Sequence, residues 1–321
     1  MPHALGRFLA KRLGLSLLTL WLLSVVVFLG TQVLPGDPAR AILGPLADPR
    51  AVAALNEQLG ADRPPVEIYL SWVGGLLTGD MGQSYAYRSP VAPFIEAALV
   101  NSLKLAGMVF LIVVPIGIGA GVLAALHAGR PVDRAISVAG LSLTVIPEFV
   151  SSIALILVFA VILRWLPLSA TWPPGAGPLT QMQHLLLPAL PLVIVLFGYI
   201  ARMTRAGTVE ALSADYTRTA ILKGLPWRTV LSRHVLRNAL LPTITVIAAQ
   251  MGYALGGLVV VESLFRYQGI GSLVLGAARA KDFAMLQAGV LVIGGFFVVT
   301  TLAADLATAM LDPRLRTGGR R

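Results

Sequence analysis

Six hydrophobic runs, separated by polar segments, alternate along this sequence. A hydrocarbon core of about 30 Å needs about 20 residues of α-helix, within a range of about 17 to 25 or somewhat more when the helix is tilted. Each run reaches the length that crosses such a core. The pattern therefore predicts six transmembrane helices, at 13–34, 105–127, 135–163, 185–201, 239–261 and 283–304.

The first run resembles a secretory signal peptide because it follows three basic residues, Arg7, Lys11 and Arg12. However, it is longer than the apolar core of an ordinary signal peptide. It also leads into LPGDP at 34–38 rather than into the small residues suited to cleavage. We interpret this run as an uncleaved first span.

The composition excludes a soluble globular protein. Charged residues occupy 12% of the 321 positions, against roughly 25% in soluble domains, and hydrophobic residues occupy 56%. The formal net charge of +10 would suit nucleic acid only if the basic residues formed a water-exposed face, and this chain has too little polar surface to build one. The sequence predicts an all-α protein of the lipid bilayer that binds no nucleic acid.

The distribution of basic residues predicts the orientation. With both termini in the cytoplasm, the inner segments hold 16 Lys and Arg residues and the outer segments hold 8. Cytoplasmic loops carry an excess of such residues, so we expect cytoplasmic N and C termini. The predicted organisation begins with a tail at 1–12 and the first span at 13–34. An extracytoplasmic loop follows at 35–98, with short helices packed on the outer membrane face. A core of five spans at 99–310, which contains a cytoplasmic loop at 202–238, precedes the second tail at 311–321.

The sequence contains no familiar catalytic or metal-binding pattern. It lacks a P-loop, a Gly-x-Ser-x-Gly elbow and any cysteine, and its four histidines are scattered. We therefore predict no catalytic residue, no metal site and no cofactor bound by this chain, which is not expected to be an enzyme.

The inner loop contains a short helix with recognisable ends. Asp215 suits an N-cap, Gly224 suits the first position beyond a helix, and Pro226 suits the first turn of the next one. A helix at 216–223 has only about two turns and is marginal alone, so neighbouring protein must hold it. At helical spacing, one face carries Tyr216, Thr219, Ala220 and Lys223.

Two interpretations of this loop remain open. The helix after Pro226 places Trp227 and other apolar residues on one face and Arg228, Arg233 and Arg237 on the other, which also suits anionic lipid headgroups. The short helix favours a protein partner instead, because its small residues allow another surface to approach closely. Those residues are Thr219, Ala220 and Gly224.

Several stretches together closely resemble the permeases of ABC importers, in the dipeptide, oligopeptide and nickel branch. They are YTRTAILKG at 216–224, HVLRNA at 234–239 with Pro242, LPGDP at 34–38, GDMGQS at 79–84, and VVESLF at 260–265 continuing to Gly-Ile-Gly at 269–271. The general importer pattern begins Glu-Ala-Ala, where this chain has Arg218, Thr219 and Ala220; that departure is typical of the peptide branch.

The resemblance implies a type I importer permease fold in a bacterial inner membrane, crossed several times. It implies a second homologous permease subunit, two ABC ATPase subunits that bind ATP and magnesium, an extracytoplasmic solute-binding protein, and a small solute such as a peptide. The short helix would be the coupling helix that docks on an ATPase subunit. Its contact residues would be Tyr216, Arg218, Thr219, Ala220, Lys223 and Gly224.

A few polar or small residues inside the spans are further candidates. Glu148 and Gln250 are candidates for lining the translocation pathway, since carboxylates and amides are costly in hydrocarbon. The alternative for Glu148 is a structural role near an aqueous cavity, where it is neutral or hydrogen-bonded. Asp305 is expected to cap a helix or to pair with a basic loop residue. The spaced glycines Gly117 and Gly121, and likewise Gly252 and Gly256, are expected to pack helices closely inside the bundle, with a second permease subunit as the alternative contact.

Two other classes of protein compete with the importer permease. A secondary transporter or channel would work without ATPase partners, and usually carries several intramembrane charges and repeated broken helices. A membrane scaffold would use the inner loop only to recruit a partner. We favour the permease subunit, forming half of the pathway.

Overall fold

The computed structural model describes residues 2–33, 38–44, 46–59 and 63–311, so residues 34–37 of the LPGDP stretch and 312–321 of the second predicted tail lie outside the described residues. Helices dominate the described chain, with one two-stranded hairpin in the outer loop. The first half contains α1 Pro2–Val33, α2 Pro38–Leu43, α3 Pro49–Leu59, α4 Pro65–Leu77, β1 Gln83–Ser84, β2 Ser89–Pro90, α5 Ala92–Leu126, α6 Pro131–Val145 and α7 Glu148–Leu155, which continues as a π-helix at Ile156–Ile162. The second half contains α8 Pro178–Ser213, α9 Asp215–Leu222, α10 Trp227–Thr229, a π-helical turn Val230–Val235, α11 Leu236–Leu264, α12 Ile270–Ala280 and α13 Phe283–Leu311.

Five continuous helices in the described ranges are long and apolar enough to cross a membrane, and a sixth span is present if one bent pair is counted as a span. The bent pair is Pro131–Val145 with Glu148–Ile162, whose axes differ by 103°. The prediction of one continuous helix at 135–163 is therefore wrong. Pro147 is the reason: it lacks an N–H, its ring opposes the preceding helical turn, and Ile146 before it is extended at ψ 121°.

The chain divides into two compact units, of which unit 1 is made of the described residues of Met1–Leu13, Lys104–Tyr267 and Val299–Arg321. Its central helix is α8, which packs against α6, α7 and α11. Helix α5 approaches α8 closely at its glycines. A Cβ on Gly121 would lie 2.6 Å from Thr204 Cβ, and one on Gly117 would lie 2.8 Å from a methyl of Ile200. The predicted packing role of this glycine pair is confirmed.

The second glycine pair behaves differently. A Cβ on Gly256 would meet nothing within 4 Å, so the predicted close contact inside the bundle is wrong at this residue, and the alternative contact with a second permease subunit stays a prediction. Its neighbour Gly257 makes the close approach instead: a Cβ there would lie 2.9 Å from both the Leu192 side chain and the Glu148 carboxylate. The spacing of glycines identified the correct helix, but the direction of the contact depends on how α11 is rotated.

Unit 2 is made of the described residues of Gly14–Leu103 and Gln268–Val298. Helix α1 packs against α13, where the Gln287 amide donates to Thr31 Oγ at 2.6 Å. The short helices predicted for the outer loop are present as α2, α3 and α4; the hairpin that follows them was not predicted. Its Ser84 hydroxyl donates to the buried Asp282 carboxylate, which also accepts the Met285 N–H near the start of α13. Burial and this carboxylate raise the pKa of Tyr85.

Candidate coupling and pathway sites

Helix α9 forms the centre of the loop between α8 and α11. It spans Asp215–Leu222, one residue earlier than predicted, and Ala214 rather than Asp215 occupies its N-cap position. Asp215 is instead the first helical residue, where its negative charge still complements the positive end of the helix. At the other end Gly224 adopts φ +73°, a left-handed conformation that favours glycine, as the sequence predicts.

The short helix is held by its own chain. The Thr217 hydroxyl is buried and donates to the Ala211 carbonyl, near the end of α8, at 2.7 Å. Ala220, only 4% exposed, joins a buried apolar cluster with residues of α8 and of the segment leading into α11. Its other members are Ala211, Val230, Val235 and Ala239. Because Thr217 is bonded to the end of α8 and Ala220 is packed in this cluster, the helix cannot shift without moving the ends of its neighbours.

Five of the six predicted contact residues are accessible to a partner. Tyr216, Arg218, Thr219, Lys223 and Gly224 are exposed. Ala220 is not, so its predicted place on the partner-facing surface is corrected: it faces the protein's own core, one turn from the buried Thr217. The sequence showed that Ala220 shares a helix face with Tyr216 and Thr219. It did not show that the side of the helix formed by Thr217 and Ala220 packs against the core.

An exposed apolar patch lies beside these residues and was missed from the sequence. Leu222 is 78% exposed, and Ile221, Leu225 and Trp227 are exposed as well. Leucines and tryptophans in a sequence are normally assigned to a core, so nothing in their identity indicated this exposure. Basic residues alternate with these positions along the chain, at Arg218, Lys223 and Arg228, and all three are exposed. We refer to Tyr216, Ile221, Leu222, Leu225 and Trp227 as the apolar patch.

The helix after Pro226 directs two of its apolar residues inward. Val230 and Val235 are completely buried, whereas Arg228, Arg233 and Arg237 are exposed. Much of the apolar face that could have met lipid headgroups therefore packs against α9 and α8 instead. This arrangement favours the protein-partner interpretation of the loop.

An ion pair fixes the end of α8 that leads into this loop. Arg205 of α8 donates through two guanidinium nitrogens to the two carboxylate oxygens of Asp133, at 2.5 and 2.7 Å. Asp133 is buried and also accepts the Gly129 N–H at 2.8 Å and the Ser137 hydroxyl at 3.2 Å. Asp133 and Arg205 are 72 positions apart in the sequence, and no local sequence pattern predicted their pairing.

The two predicted pathway residues lie on adjoining elements of unit 1. Glu148 opens α7 at the bend after Pro147, and its Oε1 lies 3.5 Å from the Tyr253 hydroxyl of α11. Gln250 precedes Tyr253 by three positions on α11 and so lies on nearly the same side of that helix. Glu148 and Gln250 are half-buried and Tyr253 is exposed. Tyr253 is a polar residue of this region that the sequence did not single out.

Asp305 has the kind of partner that the sequence predicts. Its carboxylate lies 3.1 Å from the guanidinium of Arg12, so the expected pairing with a basic residue is confirmed. The partner comes from α1 rather than from a loop.

Comparison with known proteins identifies the family. The protein-family model described as "binding-protein-dependent transport system inner membrane component" matches residues 117–317. A second family model, for the N-terminal part of such membrane components, matches residues 5–114. The chain belongs to this family. It is a multi-pass inner-membrane permease component of an ABC importer, and the secondary-transporter and scaffold alternatives find no support.

Relatives of this permease chain match along nearly its whole length. The probable peptide ABC transporter permease protein y4tP of Sinorhizobium fredii is 34% identical over 312 residues. The match covers 97% of this chain and 100% of the y4tP chain. The glutathione transport system permease protein GsiC of Escherichia coli is 37% identical, covering 96% of this chain and 98% of its own. A crystal structure of an amino acid ABC transporter with histidines covers 70% of this chain and 94% of its own, at 16% identity and a TM-score of 0.46, which is too low to carry an argument.

Proposed function

We propose that this permease chain forms half of a translocation pathway for peptides or a related small solute, and that α9 couples the pathway to an ATPase subunit. The observation that carries the coupling role is the apolar patch on a helix whose other side is fixed in the core. A short segment that exposes leucine, tyrosine and tryptophan side chains together with arginines has the composition of a protein-binding surface.

The position of α9 suits a mechanical role. Thr217 and Ala220 join it to the end of α8 and to the residues that lead into α11. A partner that moved α9 would therefore displace two candidate spans. A conformational change needs a ligand with different affinities for the two states; here, ATP and magnesium bound by the partner ATPase subunits would supply that difference.

The remaining partners follow from the family. Two ATPase subunits, a second homologous permease and an extracytoplasmic solute-binding protein complete the proposed complex. The names of the relatives, a peptide permease and a glutathione permease, support a peptide-like solute. The direct experiment is solute uptake by liposomes that contain the complete complex, with ATP enclosed and the binding protein outside. We expect uptake only with ATP, whereas uptake driven by an ion gradient through this chain alone would contradict the proposal.

We place Glu148 and Gln250, with Tyr253, on the wall of the pathway. A carboxylate that is partly exposed within a spanning segment does not face lipid, because an unpaired charge in hydrocarbon is costly. The alternative neighbours are an aqueous pathway and the second permease subunit. The bend before Glu148 and the close approach of Gly257 bring the carboxylate next to α11, where the Tyr253 hydroxyl stands 3.5 Å away.

Water access at Glu148 provides the test of this placement. The natural chain has no cysteine, so Glu148→Cys introduces a single thiol. A cationic thiosulfonate reagent reacts with thiolates in water; we expect it to modify Glu148→Cys in the complex at least ten times faster than Ile153→Cys, an exposed apolar position on the same helix. Equal, slow modification of both thiols would remove Glu148 from the pathway.

A further inference from the structure

Helix α4 of the outer loop is the most apolar part of that loop. From Ile68 to Gly79 the chain carries no charged residue. With 13 residues, α4 is too short to cross a bilayer, and none of its residues is buried. Val66, Leu70 and Leu77 are exposed. Exposing this apolar surface to water would cost free energy, which favours an environment of lipid or of another protein around α4.

The opposite side of α4 contacts α1. The Tyr69 hydroxyl and the Ser24 hydroxyl share a hydrogen bond of 2.8 Å. The Phe28 ring meets Tyr69 edge to face, with centroids 5.3 Å apart, and stacks with Trp72 at 6.2 Å. Ser24 and Phe28 are buried in this contact.

Ser24 lies deep within the first span. The apolar part of α1 runs from Ala10 to Val33, which places Ser24 about 13 Å from the Val33 end at about 1.5 Å per residue. Helix α13 gives a second estimate of this depth. Leu23, next to Ser24, packs on Gly294 of α13, and Gly294 lies about 16 Å from the start of that helix at Phe283. A tyrosine side chain is much shorter than either depth. The backbone of α4 at Tyr69 therefore lies below the level at which the two spans end.

At the depth of this contact, other sides of α1 are exposed and apolar. Trp21, Leu22, Val26 and Leu29 are exposed on the same part of the span. On a helix that crosses a membrane, such residues meet acyl chains. A second permease subunit or the solute-binding protein could also cover α4, but neither explains why the helix sits at the depth of the hydrocarbon.

We infer that α4 is embedded in the lipid leaflet around the Val33 end of α1, as a helix that enters the bilayer without crossing it. In the predicted orientation this is the outer leaflet. Val66, Leu70 and Leu77 contact acyl chains, while Tyr69 and Trp72 hold α4 against α1. The outer loop is thus tied to the membrane at a point between its first helices and its hairpin.

Spin labels can locate this surface in the assembled transporter, reconstituted in liposomes of phosphatidylethanolamine and phosphatidylglycerol. Because the chain has no cysteine, Leu70→Cys and Val66→Cys each carry one label, and Leu46→Cys is the matched control. Leu46 is an exposed leucine of the same loop outside α4, and it is 98% exposed. Collisions are measured with oxygen, which partitions into hydrocarbon, and with a nickel chelate, which stays in water.

We expect the ratio of oxygen to nickel collisions to be at least five-fold higher at Leu70 and Val66 than at Leu46. Nickel collisions at both α4 positions as frequent as at Leu46 would overturn the inference, because they would place α4 in water. Low collision rates with both reagents would also overturn it, because another protein chain would then cover the helix. Two labelled positions, one turn apart, guard against a local disturbance by either label.

Discussion

Replacing Leu222 with aspartate is expected to lower ATP-driven uptake by at least ten-fold while leaving the chain folded and inserted. Leu222 is 78% exposed, the most exposed side chain of the apolar patch, so the change removes little packing within the chain. In a complex, however, it would bury an unpaired carboxylate against the ATPase subunit. Burial of an unpaired charge costs several kcal/mol, and about 1.4 kcal/mol already corresponds to a factor of ten.

The measurements are uptake by reconstituted liposomes and the amount of ATPase subunit that copurifies with this chain. Leu46→Asp is the control, since Leu46 is also an exposed leucine but lies in the outer loop; it should retain both properties. If Leu222→Asp also retained both, the docking role of α9 would be rejected. Ala220 would be a poor choice for this test, because a larger side chain there disturbs the protein's own core.

Asp133→Asn is expected to destabilise the chain, because it removes one partner of the ion pair with Arg205. Removing one partner of a buried pair leaves the other charge uncompensated, which is destabilising. The effect is reduced because the Arg205 side chain is 34% exposed and water screens part of the interaction. We expect the midpoint of thermal unfolding in detergent to fall by about 5 °C or more.

Two variants separate this ion pair from a general effect of charge. Glu210→Gln removes an exposed carboxylate from the same helix, α8, and should leave the midpoint within about 1 °C of the natural chain. Asp133→Asn combined with Arg205→Gln should recover part of the loss, because no unpaired charge remains. An unchanged midpoint in Asp133→Asn alone would refute the proposed strength of the pair.

The parts of the structure that sequence reasoning predicted correctly depend on local signals. Hydropathy located the spanning segments, and Gly224 marked the end of α9 because its left-handed φ is a requirement of the chain itself. Pro147 causes the bend between α6 and α7, but its presence in the sequence did not reveal the bend, because not every proline of this chain breaks a helix. A proline inside a helix is tolerated elsewhere in this chain, at Pro188 and Pro242.

The parts that sequence reasoning missed depend on contacts between distant residues. Whether Ala220 faces a partner or the core is decided by Val230 and Val235, which approach α9 from the following segment. The exposure of Leu222 has the same origin, because the core occupies the other side of the helix. Asp133 and Arg205 meet only because α6 and α8 pack in one particular register.

The hydrogen bond from Ser84 to Asp282 also bears on how the protein is made. The two residues are separated by 198 positions, so the hairpin leaves the ribosome long before its partner exists. At about 5–20 residues per second, the wait is roughly 10 to 40 seconds. During that interval the outer loop has already emerged, with its Ser84 hydroxyl and Ala86 amide still lacking their acceptor. Unit 2 is therefore completed only after its last segment, Gln268–Val298, has been made.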